Sequence, residues 1–272
     1  MKNSFVAMAV LLCAVTAPAL AASPPVEAME TSIFLGGGLM HDQYHENITP
    51  GDEESGLTSE LAAGGHVLVP AGGARAFDYY ASLGYNYNPG SLAYNGHDMA
   101  GNPLRATDEA TFNRVEARLG IGMALPGGSE VIPFLAGGYQ QWNRVVQVNG
   151  SIGASETYRT ALFGGGAKLD VPLTRNVVAS GSAEILALAG GSITSNLPGI
   201  VISPGNFGVT PEERVELGLD DALVGPLHIY AQAYFTHFTY SGTHPDATSQ
   251  YYEPSSETLQ EGINLGFGYS FR

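Results

Sequence analysis

Three clusters of histidine and carboxylate residues have the residue types and spacing that acid–base chemistry needs. They are His41-Asp42 with His45-Glu46, His97-Asp98, and His244-Pro245-Asp246. A histidine next to an acidic group can activate a water molecule for hydrolysis if that water lies within hydrogen-bond reach. Two of the clusters lie among glycine and proline residues, where solvated loop residues are the default. We therefore expect no catalytic residues and no enzymatic activity, with a hydrolase as a minor alternative.

His41 and His45 also have the spacing of two metal ligands on one strand face. The rise of a strand separates them by about 13 Å, however, which is too far for one shared ion. The acidic groups Asp52-Glu53-Glu54, Asp108-Glu109 and Glu212-Glu213 lack the spacing of a calcium loop. We expect neither a metal nor a cofactor.

A second set of charged residues alternates with apolar residues, so each member falls on the polar face of a strand. Arg114, Glu116 and Arg118, for example, alternate with apolar residues. Two interpretations stay open: ion pairs that plug the interior of a narrow barrel, or a hydrophilic pore whose charges select a small solute. The expected inward-facing residues are Glu60, His66, Asp78, Arg114, Glu116, Arg118, Lys168, Glu184, Arg214, Glu216, Asp220 and His228.

The end of the chain shows the clearest alternation. Apolar and aromatic residues at every second position from Ile263 to Phe271 share one face, and small or polar residues share the other. A strand of a membrane barrel needs this pattern, because lipid meets one face and the lumen the other. Asn264, Gly266, Tyr269 and Phe271 resemble the C-terminal assembly signal of outer-membrane β-barrel proteins, although Arg272 follows where that family usually ends. The resemblance implies outer-membrane lipid and the barrel-assembly machinery as partners.

The start of the chain has the features of a secretory signal. Lys2 supplies the positive charge, residues 5–15 the apolar region, and Ala19-Leu20-Ala21 the cleavage site. We predict a signal peptide at residues 1–21, a periplasmic lead-in at 22–30 and an outer-membrane barrel at 31–272. Cys13 is the single cysteine and lies in the signal, so the mature protein has no disulfide.

Composition narrows the class of protein. The formal net charge of −15 argues against nucleic acid as a partner. Beyond the signal, no segment reaches the roughly 20 apolar residues of a spanning helix. A membrane-spanning chain of this kind must therefore close a sheet into a barrel, which pairs every backbone N–H and C=O group.

Ten alternating segments have the length of tilted spanning strands. Short turns, including Ala71-Gly72-Gly73-Ala74, alternate with five longer connections near 44–56, 88–108, 147–155, 194–211 and 242–256. We predict an all-β, transmembrane antiparallel up-and-down β-barrel of about 10 strands, with 8 or 12 as alternatives. The segments lie near 31–43, 57–70, 75–87, 109–125, 131–146, 156–171, 177–193, 212–223, 227–241 and 257–271.

Aromatic residues near the strand ends suit the membrane interface, because the ring can contact hydrocarbon while the hydroxyl contacts the polar head groups. We expect Tyr79, Tyr85, Tyr87, Trp142, Tyr158, Phe238 and Tyr240 to form girdles of this kind. The expected binding surface lies instead on two outer loops, where apolar residues project beyond the membrane. Its residues are Ile200, Val201, Ile202, Tyr251 and Tyr252.

The expected function follows from this architecture. The chain is similar in kind to small OmpA-like, OmpX-like and opacity-type surface proteins, which implies a structural or surface-interaction role through the loops. A narrow-channel porin is the alternative. The size also resembles the omptin outer-membrane proteases, but none of the three histidine clusters matches their motifs. A barrel protease or a lipid A-modifying enzyme is therefore the minor alternative. The sequence names neither an extracellular ligand nor a solute, since barrels of one size serve several functions.

Overall fold

The fold consists of one short helix followed by antiparallel strands. A computed structural model describes residues 24–70, 77–98, 100–197, 200–243 and 252–271, with the backbone alone at positions 24, 70, 197 and 200–204. Helix α1 spans Pro24–Met29. The strands are β1 (Ser32–Glu46), β2 (Glu53–Pro70), β3 (Asp78–His97), β4 (Pro103–Ala124), β5 (Glu130–Val148), β6 (Ser151–Pro172), β7 (Val177–Leu197), β8 (Ile200–Asn206), β9 (Thr210–Val224), β10 (Leu227–Tyr240) and β11 (Ser256–Ser270).

The strands close into an up-and-down barrel. Strands that follow one another in the chain pair antiparallel from β1 to β8 and from β9 to β11, and β1 pairs with β11 from Ser32↔Ser270 to Glu46↔Ser256. β8 pairs with the outer part of β7, whereas β9 pairs with the rest of β7, so ten strands form the closed ring and β8 is an extra strand. The predicted all-β, ten-stranded antiparallel barrel is confirmed. Among the described residues, no helix is long and apolar enough to cross a membrane.

The two ends of the barrel differ. The turn end carries the tight turns at 125–129, 173–176 and 225–226, together with α1 and the end of β11. Gly127 and Gly128 both have positive φ values there, of 87° and 82°, which a residue without Cβ adopts freely. The turn expected at 71–74 lies outside the described residues. The other end, with the connections 47–52, 98–102, 149–150, 207–209 and 241–255, is called the loop end.

The strands are longer than the sequence pattern suggested. The connections expected at 88–108 and 147–155 shrink to 98–102 and 149–150, because β3 to β6 continue through them. Leu92 and Tyr94 still point into the lumen, so the alternation persists above the length needed to cross a bilayer. The connection expected at 194–211 is also not a simple loop, since it contains the outer end of β7 and the whole of β8.

Side chains sort cleanly onto two faces. Large apolar residues such as Leu119, Leu135 and Phe267 are exposed on the outer wall, as the lipid-facing wall of a membrane barrel requires. The phase of the first and fifth strands, ambiguous in the sequence, is now assigned. Met40 in β1 and Trp142 in β5 are buried in the lumen.

Candidate functional site in the barrel interior

The middle of the lumen is crossed by charged residues that we name the ion-pair layer: Arg114, Glu116, Arg118, Glu184, Glu212, Arg214 and Glu216. Arg114 on β4 lies 2.5 Å from Glu116 on the same strand and 2.6 Å from Glu212 on β9. Since β5, β6 and β7 separate β4 from β9 around the ring, the second contact bridges the lumen.

Arg118 and Arg214 extend the same layer. Arg118 contacts Glu116 at 2.7 Å, and both Glu184 and Glu216 at 3.1 Å. Arg214 contacts Glu216 at 2.7 Å. All of these side chains are largely buried, so each charge depends on its partners for the stabilisation that water would otherwise give. The layer therefore occupies the space through which a solute would pass.

Glu60 joins β2, β3 and β10 beside this layer. Its carboxylate accepts hydrogen bonds from Asn86 at 2.6 Å and from the Tyr234 hydroxyl at 2.9 Å. The Arg214 guanidinium lies 4.5 Å from the centroid of the Tyr234 ring, a cation–π distance. Polar contacts thus continue across the lumen from the ion-pair layer to the opposite wall.

Nearer the loop end, Arg144 is the centre of a second buried cluster. It forms an ion pair with Glu54, contacts Glu156 at 2.7 Å and donates to the Tyr158 hydroxyl at 3.0 Å. The Arg144 guanidinium also lies 4.6 Å from the centroid of the Tyr44 ring. The sequence analysis did not identify Arg144 as a lumen residue, because the phase of β5 was not assigned. It missed Glu54 because residues 44–56 were expected to form a connection, whereas β2 begins at Glu53.

Aromatic rings fill the lumen around Arg144. We name them the aromatic layer: Tyr44, Phe112, Trp142, Tyr158, Phe207, Phe238 and Tyr240. Trp142 stacks on Phe112 with ring centroids 4.9 Å apart and on Tyr158 at 5.0 Å. Phe207 continues the stack, with its ring centroid 4.8 Å from that of Tyr240.

The predicted girdle is wrong for four of its seven members. Trp142, Tyr158, Phe238 and Tyr240 are buried in the lumen, whereas Tyr79 and Tyr85 are exposed on the outer wall. The cause is the period of the strand. Phe238 and Tyr240 have the same parity as His228, which the sequence pattern already placed inside.

Glu253 covers the aromatic layer from the β10–β11 connection. It accepts hydrogen bonds from the hydroxyl of Tyr158 at 2.5 Å and from that of Tyr44 at 3.3 Å. Its backbone N–H donates to the Thr243 hydroxyl at 2.8 Å, and its backbone carbonyl accepts from Thr243 at 2.8 Å. Burial, and then the nearby Glu156 carboxylate, raise the pKa of Glu253 to about 8.

The turn end is closed by residues 24–31, which we name the plug. Val26 and Met29 of α1 pack with Val178 at the start of β7. Ser270 at the end of β11 donates to the Ala28 carbonyl at 2.8 Å, and the Phe271 N–H donates to the Thr31 carbonyl at 3.0 Å. Residues 24–30 of the predicted lead-in are therefore packed against the barrel.

Lys168 fastens the plug to the inner wall. It forms an ion pair with Glu30 and lies 3.4 Å from Asp170. Burial raises the pKa of the Glu30 carboxyl, but the charges of Lys168 and His66 lower it further, so the pKa lies below its ordinary value. Glu30 is thus held as a carboxylate opposite the Lys168 ammonium.

The remaining expected inward residues lie in the same lower part of the lumen. His228 forms a hydrogen-bonded pair with Asp220, and His66 lies 3.1 Å from the Ser32 hydroxyl. Asp78 is buried at the start of β3. The structure thus brings Lys168, His66, Asp220 and His228 to the walls of one cavity, and places Arg144 and Glu54 in a separate cluster above the ion-pair layer.

The three histidine clusters do not form one site. His41 points outward and Asp42 points into the lumen, because neighbouring residues of a strand face opposite ways. His97 lies 3.9 Å from Asp52, and His45 lies 3.5 Å from Glu53. His244 and Asp246 lie outside the described residues.

The expected loop surface is only partly described. Ile200, Val201 and Ile202 lie in β8, where only their backbone is described. Tyr251 lies outside the described residues. Tyr252 is exposed at the loop end.

The expected assembly signal lies on the closing strand and just beyond it. Asn264 is buried and donates to Gln232 at 3.1 Å, whereas Tyr269 and Phe271 are exposed on the outer wall. Gly266 lies opposite Gly36 of β1. A Cβ atom at Gly266 would collide with the backbone of β1 and with Tyr230, so this position requires glycine.

Comparisons with known proteins agree with this fold. No protein-family model and no curated protein matches the sequence. The outer membrane protease OmpT from Escherichia coli superposes with a TM-score of 0.52 at 10% identity, covering 89% of this chain and 97% of that chain. The translocator domain of the autotransporter NalP from Neisseria meningitidis gives 0.42 at 12%, covering 91% and 92%. The toluene transporter TbuX from Ralstonia pickettii gives 0.39 at 9%, covering 92% of each chain. At such identities the likeness to OmpT concerns the fold and no activity, and the chain has the fold of an outer-membrane β-barrel.

Proposed function

We propose that this protein is an integral outer-membrane β-barrel with a closed lumen and a structural or surface-interaction role. The observation that carries the proposal is the filling of the lumen at three heights. The aromatic layer, the ion-pair layer and the plug follow one another from the loop end to the turn end. A barrel of this width has little free space once such side chains are in place.

The outer wall supports the membrane location. Large apolar side chains are exposed on strands all around the ring, including Leu61 on β2, Ile185 on β7 and Leu265 on β11. So large an exposed apolar surface is unfavourable in water but favourable in contact with lipid. The predicted signal peptide and the predicted assembly signal around Phe271 support the same location, with outer-membrane lipid and the barrel-assembly machinery as partners.

The outer ends of the longest strands provide the proposed surface for interaction. β3 to β7 each have 19 to 22 residues, whereas a tilted spanning strand needs about 9–11. Their outer ends, with β8, therefore project as a wall on one side of the loop end. This wall replaces the long loops as our proposed binding surface, and the extracellular ligand is not specified.

A narrow-channel porin is the second candidate, and one observation favours it. A cavity of about 180 Å³ lies below the ion-pair layer and is lined by charged residues, including Arg118 and Lys168. A pore would need this cavity to connect with both ends of the barrel. The ion-pair layer and the plug oppose that connection.

Swelling of proteoliposomes in an isotonic sugar separates the two candidates. We expect vesicles that contain the refolded mature protein to swell no faster than vesicles that contain boiled protein, with a known porin as the positive control. A variant without residues 22–29 should also be inactive, because the ion-pair layer remains. Swelling by the wild type would favour the porin, and swelling only by the shortened variant would show that the plug alone closes the barrel.

A further inference from the structure

Glu253 covers the opening of the lumen at the loop end, which we call the mouth. Its Oε1 atom accepts hydrogen bonds from the hydroxyls of Tyr158 at 2.5 Å and Tyr44 at 3.3 Å. Tyr44, Tyr158 and Trp142 are almost completely buried, although they lie near the loop end. The contacts of Glu253 with the two hydroxyls therefore close the mouth over the aromatic layer.

The two hydroxyls have more carboxyl neighbours than protons. The Tyr158 hydroxyl lies 2.5 Å from Glu253 and 3.4 Å from Glu156. The Tyr44 hydroxyl lies 3.3 Å from Glu253 and 3.4 Å from Glu46. Because each hydroxyl can donate only one hydrogen bond, two protons are shared among three carboxyl groups.

Glu253 has the weakest support of these three carboxyl groups. Glu156 forms an ion pair with Arg144 at 2.7 Å, and Glu46 accepts from the backbone N–H of Asp52 at 3.1 Å. Within the described ranges of the chain, the side chain of Glu253 contacts the two hydroxyls and forms no ion pair. An ionised Glu253 would thus be a buried charge without a counter-ion, whereas a protonated Glu253 carries no charge.

The charged groups around the mouth oppose a further negative charge. The titratable groups that face Glu253, or that contact a group facing it, are Tyr44 and Glu46 on β1, Asp52 in the next connection, Glu54 on β2, Tyr94 and His97 on β3, Asp108 on β4, Arg144 on β5, and Glu156 and Tyr158 on β6. Arg144 is the one guanidinium of this group, and it already contacts Glu54 and Glu156. Burial, and then the Glu156 carboxylate, raise the pKa of Glu253 to about 8.

We propose that a proton on Glu253 keeps the mouth of the barrel closed over the aromatic layer, and that loss of this proton opens the mouth. The ionised carboxylate leaves the two hydroxyls for water, because repulsion by Glu156 and Glu46 is not offset by a cation. The inference goes beyond the proposed function, since the ion-pair layer and the plug fill the lumen in both forms.

The pH range of the opening follows from proton linkage. In the open mouth Glu253 has its ordinary pKa of 4.5, and in the closed mouth its pKa is about 8. Opening therefore releases a proton between these values. The equilibrium constant for opening should rise up to about tenfold for each pH unit in this range and level off above it.

Trp142 provides the readout, because it is the single tryptophan of the chain. Its ring centroid lies 5.0 Å from that of Tyr158, directly within the part of the aromatic layer that Glu253 covers. The test is quenching of its fluorescence by acrylamide in the refolded mature protein, in detergent micelles from about pH 5 to about pH 9. We expect the quenching constant to increase with pH and the emission maximum to shift to longer wavelength.

Three variants assign the effect to Glu253. Glu253→Gln keeps the hydrogen-bond acceptor but cannot ionise, so quenching should stay low at every pH. Glu156→Gln should reduce the increase, because an ionised Glu253 then has one negative neighbour fewer. Glu257→Gln is the matched control at an exposed carboxylate of β11, and it should behave as the wild type does.

Three results would overturn the proposal. Quenching of the wild type that does not change with pH would mean that the mouth stays closed without the proton. An equal increase in Glu253→Gln would assign the opening to another group, and strong quenching of this variant at every pH would mean that the ionised carboxylate closes the mouth.

Two further measurements separate this proposal from the proposed function. Heat-modifiable electrophoretic mobility at both ends of the pH range establishes that the barrel stays folded, so that quenching reports on the mouth. Conductance at either pH would contradict the closed lumen, whether or not Trp142 responds to pH.

Discussion

Arg118 shows why the ion-pair layer holds the barrel together. It contacts carboxylates on β4, β7 and β9, so its loss leaves several buried negative charges without compensation. Breaking a buried ion pair by removing one partner costs about 3–5 kcal/mol. We expect Arg118→Ala to lower the free energy of unfolding in urea by this amount.

Arg175→Ala is the control for that measurement, because Arg175 is exposed in the turn after β6. Its effect should stay within about 0.5 kcal/mol. A stability of Arg118→Ala equal to that of the control, together with a new conductance, would instead identify the arginine as part of a pore.

Glu253 predicts a pH dependence that one substitution removes. Its carboxyl has an ordinary pKa of 4.5, and in the folded protein this pKa is about 8. Between these values the folded state keeps a proton that the unfolded state has released. The contribution of Glu253 to stability is therefore complete below pH 4.5, declines as the pH rises, and is lost above about pH 8.

Glu253→Gln should flatten this decline. We expect the free energy of unfolding of the wild type, measured from about pH 5 to about pH 9, to fall more steeply than that of the variant. Glu257→Gln is a control at an exposed carboxylate in β11. Identical slopes for wild type and Glu253→Gln would show that the mouth of the barrel does not hold a protonated Glu253.

Alternation predicts single inward residues well where it is unbroken. The inward orientation of Arg114, Glu116 and Arg118 could be predicted from the two-residue period of a strand alone. Trp142 and Tyr240 were misplaced because tyrosine and tryptophan also suit the membrane interface, and that preference was given more weight than parity. Glu30 and Arg144 were missed for other reasons: Glu30 lies before the first strand, and Arg144 lies in a strand of uncertain phase.

One buried ion pair, Lys168 with Glu30, adds to the hydrogen bonds and the apolar contacts that attach the plug to the barrel. Lys168→Met should leave Glu30 without its cation and loosen α1. In Glu30→Gln/Lys168→Met no charge of this pair remains, so the double variant should be less destabilised than the sum of the two single changes. We expect a coupling energy of about 0.5–3 kcal/mol from a double-mutant cycle in urea. Purely additive effects would mean that the pair does not hold the plug.

The strands themselves were predictable, but their ends were not. All ten barrel strands appear where alternating segments were found. The observed strands extend further towards the loop end than the predicted segments, because β3 to β7 continue as paired sheet past the length that a spanning strand needs. No change in the residue pattern marks the point where that length is reached. β8 was missed because its sequence, with Pro204 and Gly205, has the composition of a loop.

The protein as a whole has two contrasting surfaces, one on the outside of the barrel and one on the inside. The outer wall is apolar around the ring, and the inside is charged and aromatic. Soluble proteins have the reverse arrangement, with apolar residues inside. The arrangement is visible in the sequence, and it is the basis of the predicted barrel. The contacts across the lumen could be found only from the structure, because they join strands that are distant in the chain, as in Arg114 with Glu212.

Single-channel recording tests directly whether the lumen of the barrel is closed. The refolded mature protein, residues 22–272, would be inserted into a planar lipid bilayer, with boiled protein as the control. We predict a folded barrel without stepwise openings, because the aromatic layer, the ion-pair layer and the plug together fill the lumen. Discrete, reproducible openings whose ion preference changes in Arg118→Ala would contradict the closed barrel and establish a pore through the ion-pair layer.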